Sequence, residues 1–309
     1  MIYTVTLNPS LDYLLSFDSL AAGSLNRAAE ARYLPGGKGN NVAQVLTSLG
    51  GDATALGFTG GFTGRELERL LAHSGVRSDF IHVDGDTRVN VKIRAGQETE
   101  INAAGPAISE LQFRKLADQV RGMAAGDVLV LSGSIPASLP ADAYEQLADI
   151  CRTAGCRFTV DAEGSALRKT LKYRPLLVKP NHHELAALIG TAIRTKEEAA
   201  LHARTLIDEG AEQVIVSLAG EGAVYVSAEE TYLANAPAGR VRGSVGAGDS
   251  MVAGFLAATA AGKSAAEAFR AGIAAGSATA FSDRLCTAEE AAALIPRITV
   301  TQFEGGDRK

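Results

Sequence analysis

Short β-branched runs alternate with helical patterns along nearly all of this chain, and that alternation limits its fold more than any other feature. "IYTVTL" (2–7) reads as a strand, and "NNVAQVLTSLG" (40–50) has helical apolar spacing with a glycine stop. "DATALGF" (52–58) is strand-like, and "GRELERLLAHSG" (64–75) is an amphipathic helix. "DVLVLSG" (127–133), "RFTVD" (157–161), "LLVKP" (176–180) and "QVIVSL" (213–218) read as buried parallel strands. Repeated βα units imply an α/β fold in three layers, α/β/α, around a mostly parallel central sheet. The 309 residues, 46% of them hydrophobic, suffice for one large core, so 1–309 is expected to be a single domain.

Two segments break the rhythm. "DYLLSFDSL" (12–20) and "DFIHVDGDTRVNVKIRAGQETEIN" (79–102) alternate apolar and polar residues, with turns at Asp84-Gly85 and Ala95-Gly96. They read as hairpin strands with one wet face. No linker separates them from the rest, so they are expected to form a small β-sheet lid, inserted from about 12–34 and 79–102. An apolar face on such a sheet must cover a ligand, another subunit, or both.

The net charge of -5 argues against nucleic acid or an anionic membrane as the main partner. "MIYTVTLNPS" has no basic segment and no long apolar core, so no signal peptide is expected. No apolar run of about 18 residues occurs, so no membrane helix is expected either. Three cysteines without a dense framework favour a reducing compartment, and a cytoplasmic location is the default.

In open α/β sheets ligands sit beyond the carboxyl ends of the strands. Here those ends carry Asn8-Pro9-Ser10-Leu11-Asp12, Ser132-Gly133-Ser134, Lys179-Pro180-Asn181 and Ser217, with Gly220 and Gly222 just beyond. Each alone is ordinary turn chemistry; together they mark one edge of the sheet.

"GSVGAGDSMVAGF" (243–255) sets Gly246, Ala247 and Gly248 before Asp249 and an apolar helical run. Free amides at such a helix start can hold a phosphate. Asp is also a preferred N-cap, which is the plainer reading of Asp249. A buried helix aims its start into the protein, however, where a bare carboxylate is costly without a partner or a task. Beside an anion site it can accept the proton of a hydroxyl attacking phosphorus. "LPGGKGNNVAQVL" (34–46) offers the complement: glycines, the cation Lys38 and the amides of Asn40 and Asn41. Its spacing is not that of a Walker A loop, and no G-x-G-x-x-G turn follows the first strand, which disfavours a dinucleotide enzyme.

In an alternating strand Arg88, Asn90 and Lys92 share a face. Two cations and an amide there suit a second phosphate, although a solvated face is the plain alternative. His182-His183-Glu184 lacks a third ligand, and adjacent helical histidines do not face one another. Asn181 and Glu184, three apart on one helix face, suit Mg²⁺ held mainly through water.

At these residues the chain resembles the ribokinase-like (pfkB) carbohydrate kinase family. One family motif runs through Gly36-Gly37-Lys38-Gly39-Asn40-Asn41-Val42-Ala43 to Gly50 and Gly60. The other is Ser244-Val245-Gly246-Ala247-Gly248-Asp249, then Ala253-Gly254-Phe255-Leu256, with Gly243 replacing the usual small polar residue. The resemblance covers essentially the whole chain and implies the ribokinase-like fold with its β-lid. "TLNPSLD", "TEINAAGP", "SGSIP", "VKPNHHEL" and "AAGSATAFS" are most similar to the family's ketose-phosphate kinases. That implies transfer of the ATP γ-phosphate to O6 of D-fructose 1-phosphate, with tagatose 6-phosphate or fructose 6-phosphate as alternative acceptors. A sugar or nucleotide sensor on the same fold is the non-enzymatic alternative.

The resemblance also implies roles. Asp249 is the expected catalytic base, and Gly246, Ala247 and Gly248 the anion hole. Asp12 is expected to hold sugar hydroxyls, with Gly37, Lys38 and Asn41 beside it, and Arg88, Asn90 and Ser134 to meet the sugar phosphate. Ser217, Gly220, Gly222 and Gly248 are expected on ATP, with Ser277 near adenine. Lys179, Asn181 and Glu184 fall on the nucleotide–Mg²⁺ side, Glu184 touching the metal through water. A homodimer through the lid is expected.

Overall fold

The computed structural model describes residues 1–304. The chain opens with β1 (Ile2–Thr6), β2 (Ser10–Ser16), β3 (Glu30–Gly36), α1 (Lys38–Ser48), β4 (Ala53–Thr59), α2 (Gly61–His73) and β5 (Arg77–His82). The hairpin β6 (Arg88–Ala95) and β7 (Gln97–Ile101) follows, then α3 (Glu110–Arg121), β8 (Val128–Ser132), α4 (Ala143–Thr153) and β9 (Arg157–Asp161). Next come α5 (Gly164–Arg168), β10 (Leu177–Val178), α6 (His182–Ile189), α7 (Lys196–Asp208) and β11 (Gln213–Ser217). The chain closes with β12 (Ala223–Ser227), β13 (Thr231–Ala234), α8 (Ala247–Ala260), α9 (Ala265–Ala280), α10 (Ala288–Leu294) and β14 (Val300–Gln302).

The main sheet has the order β14-β13-β12-β11-β10-β9-β8-β1-β4-β5. Strands β5 through β11 in that order run parallel, while β12, β13 and β14 add an antiparallel extension at one edge. Alternate residues of each strand feed opposite cores. Leu129, Leu131, Val214 and Val216 pack with Phe113, Leu147, Leu185 and Leu206 of α3, α4, α6 and α7. Val130 and Ile215 pack with Val42, Leu67, Phe255, Ile273 and Leu294 of α1, α2, α8, α9 and α10. Three layers result, as the βα rhythm predicts. β1 pairs with β4 on one side and β8 on the other, so strand order reverses there. The carboxyl ends of strands at such a reversal are the usual ligand position in open α/β sheets. No helix among the described residues is long and apolar enough to cross a membrane.

The small sheet has the order β3-β2-β6-β7. It departs from the sequence expectation in two ways. Residues 79–82 belong to β5, the edge of the main sheet, so the Asp84-Gly85 turn links the two sheets rather than two hairpin strands. The pair β2 and β6 is parallel, and β3 supplies the neighbour on the other side. Local alternation does not encode which sheet a strand joins. The hairpin at Ala95-Gly96 is as expected, with Ala95 opposite Gln97.

Candidate active site

Helix α8 starts two residues before Asp249, at Ala247, with Gly246 as N-cap at φ 77. No side chain caps it. Asp249 therefore lies in the first turn and is not the cap. The Ala247 amide, expected to be free, donates to the Ser244 carbonyl at 3.2 Å. The first bond of the helix runs from the Ser250 amide to the Gly246 carbonyl at 2.8 Å. Helix geometry leaves the Gly248 and Asp249 amides as the donors for an anion. Gly246 cannot be replaced cheaply, because an L residue is strained at its left-handed φ of 77.

The Asp249 side chain is 5% exposed, and its Oδ2 accepts from Asn41 Nδ2 at 2.8 Å. Burial and then the Asp161 charge push its carboxyl up to about 6, against the Asn41 hydrogen bond and the ammoniums of Lys38 and Lys179. A buried carboxylate with that affinity can take a proton near neutral pH.

Asp161 closes β9 and was read from sequence only as a strand residue. It is 2% exposed, with Oδ1 at 3.3 Å from Lys38 Nζ and Oδ2 at 3.6 Å from Lys179 Nζ. Burial alone would raise its pKa, but Lys179 and Lys38 hold it below the usual range. Burial pulls the Lys38 ammonium down, yet Asp161, Asp249 and Glu184 outweigh it and hold it up. Lys179 also borders α8: a Cβ on Gly248 would stand 3.0 Å from its Nζ. Lys38 is delivered by Gly37, the N-cap of α1 at φ 104, pressed against Thr6. Thus Lys38 and Asn41, grouped with the sugar residues from sequence, contact Asp161 and Asp249. Two ammoniums, two helix amides and a proton acceptor meet here, a set that can stabilise a migrating phosphoryl group. An acid ending a buried strand is the signal that could have flagged Asp161.

Asp12 sits on β2, opposite Asn90 in the parallel register with β6. Its Oδ1 accepts from Ser10 Oγ at 2.6 Å and Asn90 Nδ2 at 3.3 Å; its Oδ2 lies 3.2 Å from Lys92 Nζ. Gly36 lies so close that a Cβ would stand 2.3 Å from that carboxylate. Half-buried Arg88 donates to the carbonyls of Asn8 at 2.9 Å and Ala103 at 3.3 Å. Its Nε is buried without a hydrogen-bond partner. Arg88, Asn90 and Lys92 share the face with Asp12 as expected, but Lys92 is also paired with Glu100 at 3.4 Å. Lys92 thus serves carboxylates, whereas Arg88 meets backbone carbonyls. Ser134 is exposed just past β8, next to Gly133, whose missing Cβ would lie 3.8 Å from Lys38.

On the third side, Asn181 caps α6 in a reciprocal pair with Glu184. The Asn181 amide donates to Glu184 Oε2 at 2.8 Å, and the Glu184 amide to Asn181 Oδ1 at 2.9 Å. Both side chains thus cap a helix, which the shared-face reading overlooked. Asn181 bridges to Ser217 at the end of β11. Beyond it Ala219 holds φ 48, and Gly222, at φ 103, faces the Ala234 carbonyl where a Cβ would be 2.0 Å away. Gly220 has open space around it. Ser277 lies on α9 beside Gly276, whose Cβ would approach the Ala247 carbonyl to 2.9 Å.

The profile described as pfkB family carbohydrate kinase matches residues 5–291. The chain belongs to the pfkB family of carbohydrate kinases. The 1-phosphofructokinase of Bacillus subtilis is 47% identical over 303 residues, covering 98% of this chain and 100% of that protein. The D-tagatose-1-phosphate kinase of Bacillus licheniformis is 38% identical over 257 residues, 83% of this chain and 84% of the other. Phosphofructokinase-2 of Escherichia coli, solved in complex with fructose-6-phosphate, superposes with a TM-score of 0.90 at 34% identity, covering 96% and 98% of the two chains. This pfkB kinase therefore has the ribokinase-like fold, and its family assigns it ATP as phosphoryl donor and a sugar as acceptor.

Proposed function

We propose that this chain transfers the γ-phosphate of ATP to O6 of D-fructose 1-phosphate, giving fructose 1,6-bisphosphate. The observation that carries this reading is Asp249, a buried carboxylate titrating near 6 at the start of α8, with Lys38 and Lys179 at hand. Asp249 takes the proton of the attacking hydroxyl while the Gly248 amide and both ammoniums stabilise charge on the γ-phosphate. Asp12 and Asn90 orient sugar hydroxyls, and Arg88 with Ser134 grips the sugar phosphate. Gly220 leaves room for the nucleotide, with Gly222, Ser217 and Ser277 beside it. The 47% identity with a 1-phosphofructokinase supports the choice of acceptor. The relative named D-tagatose-1-phosphate kinase supports a second reading, a ketose phosphate epimeric at C4.

Mg²⁺ fits the nucleotide side. Asp161 Oδ2 is buried and makes no hydrogen bond, its close partner being the Lys179 ammonium at 3.6 Å, and the Asn181 amide engages just one Glu184 oxygen. Two hard carboxylates, with no cluster of three ligating side chains among the described residues, suit an ion that keeps waters and phosphate oxygens. Bound there with ATP, the ion would neutralise phosphate charge.

The small sheet acts as a lid, and its outer face favours a homodimer. Its inner face is polar, whereas Tyr33 and Ile101 outside are 47% and 56% exposed, and Tyr13 stacks on Tyr33 at 4.5 Å. Three free, buried cysteines suit a cytoplasmic enzyme.

ADP release measured with ATP-Mg and fructose 1-phosphate, fructose 6-phosphate, tagatose 1-phosphate or tagatose 6-phosphate tests the assignment. The highest kcat/KM is expected for fructose 1-phosphate. Sugar and nucleotide binding without ADP release from any of them would replace the kinase by a sensor.

A further inference from the structure

The small sheet carries two more cations than the sugar pocket uses, Arg94 and Arg32. Arg94 stands two residues beyond Lys92 on β6, opposite Ser16 of β2. Its Nη1 lies 3.4 Å from Oδ1 of Asp283, in the loop after α9. Arg32, on β3, donates from Nη2 to the Asp283 carbonyl at 3.0 Å. Arg242, just ahead of Gly246, pairs with Asp283 Oδ2. One residue thus holds two arginines of the small sheet and one arginine of the segment leading into α8. That segment is anchored as well: the Arg242 amide donates to the Ala280 carbonyl at 2.8 Å. Arg94 also lies along it, since a Cβ on Gly243 would stand 3.2 Å from Arg94 Nη2. Competing pairs of these arginines are longer, 3.9 Å to Glu98 for Arg94 and 3.7 Å to Glu30 for Arg32.

We propose that Asp283 is a positioning residue that fixes the small sheet over the body, so that Asp12 and Arg88 keep their spacing from Asp249. The proposal rests on the kinase reading above. Asp283 is 47% exposed, and exposed pairs add little to stability. Its effect is geometric: the sugar residues Asp12 and Arg88 lie on the small sheet and Asp249 on α8 of the body, and the Asp283 cluster ties one to the other at the segment that leads into α8. A reacting group misplaced by about 1 Å loses up to about a hundredfold in rate. The cluster is open to solvent, so salt weakens it.

The test uses the full chain with Asp283→Ala, Asp283→Glu and Arg94→Met. Asp283→Ala is expected to keep its Tm within a few degrees, lose about tenfold or more in kcat and raise KM for the ketose phosphate but not for ATP. Asp283→Glu should restore most of the loss. Adding Arg94→Met to Asp283→Ala should cost little more, since both remove one link. Hydrogen exchange should speed up at residues 10–16 and 88–101 in Asp283→Ala. Wild-type kcat and KM in Asp283→Ala would overturn the proposal, as would activity falling only in step with Tm. If the wild-type chain turned over no ketose phosphate, the kinase reading would fail by itself. The exchange measurement would still decide, with unchanged rates overturning the clamp.

Discussion

At the scale of single residues, Asp249 controls two pH dependences of opposite sign. As a base it works only when ionised, so kcat/KM should rise with pH and level off above about 6. Folding runs the other way. Its folded pKa is raised above the ordinary 3.8, so the native state binds more protons between those values and loses stability as pH climbs through them. Above 6 the buried charge costs up to about 3 kcal/mol at roughly 1.36 kcal/mol per pH unit. Asp249→Asn should therefore abolish most turnover, at least about a hundredfold, yet melt at a higher temperature at pH 7.5. That gain should vanish below pH 4, where both side chains are neutral; a Tm series across pH checks it. Arg88→Ala should raise KM for the ketose phosphate far more than for ATP, and steady-state kinetics varying each substrate would read that split. The acid of "GAGD" was legible because glycines and an apolar run frame it. Asp161 was not, because its partners Lys38 and Lys179 come from distant segments that meet only in the fold.

At the scale of elements, α8 and α9 explain why so much glycine and alanine lies between 247 and 280. A Cβ on Gly254 would stand 2.7 Å from the Ala271 carbonyl, and one on Gly272 would stand 2.8 Å from the Met251 carbonyl. Both obstacles are backbone and cannot step aside. In a free helix Gly→Ala gains up to about 1 kcal/mol. Here Gly272→Ala should instead cost about 1–3 kcal/mol by forcing the helices apart, measured by urea unfolding. It should lower kcat as well, because Asp249 rides on α8. The main strands were readable as continuous apolar runs, a pattern that burial on both faces imposes. Residues 79–82 join the main sheet instead of the lid because β5 is its exposed edge, with Phe80 and Ile81 alone buried, so no continuous apolar run marks it. The β12, β13 and β14 extension carries no distinguishing local signal, since pairing direction is decided by neighbours.

At the scale of the whole molecule, the two sheets divide the labour, and the smaller one wears its polarity inside out. Asp12, Asn90 and Lys92 are buried beneath it while Tyr33 and Ile101 face outward. Light scattering should report a dimer, and Tyr33→Asp with Ile101→Asp should yield monomers; a wild-type monomer would remove the role given to that face. Charge raises a further point. A chain of net charge -5 has to admit two anions, and its phosphoryl site already contains an internal counter-ion in Asp161. An arriving phosphate competes with that carboxylate for both ammoniums. A monovalent anion gains nothing by the exchange, whereas a triphosphate does. Selection by valence is then expected to precede selection by shape. Metal-free calorimetry should find affinity falling steeply from ATP through ADP to AMP, and Asp161→Asn should flatten that series by admitting the weaker anions.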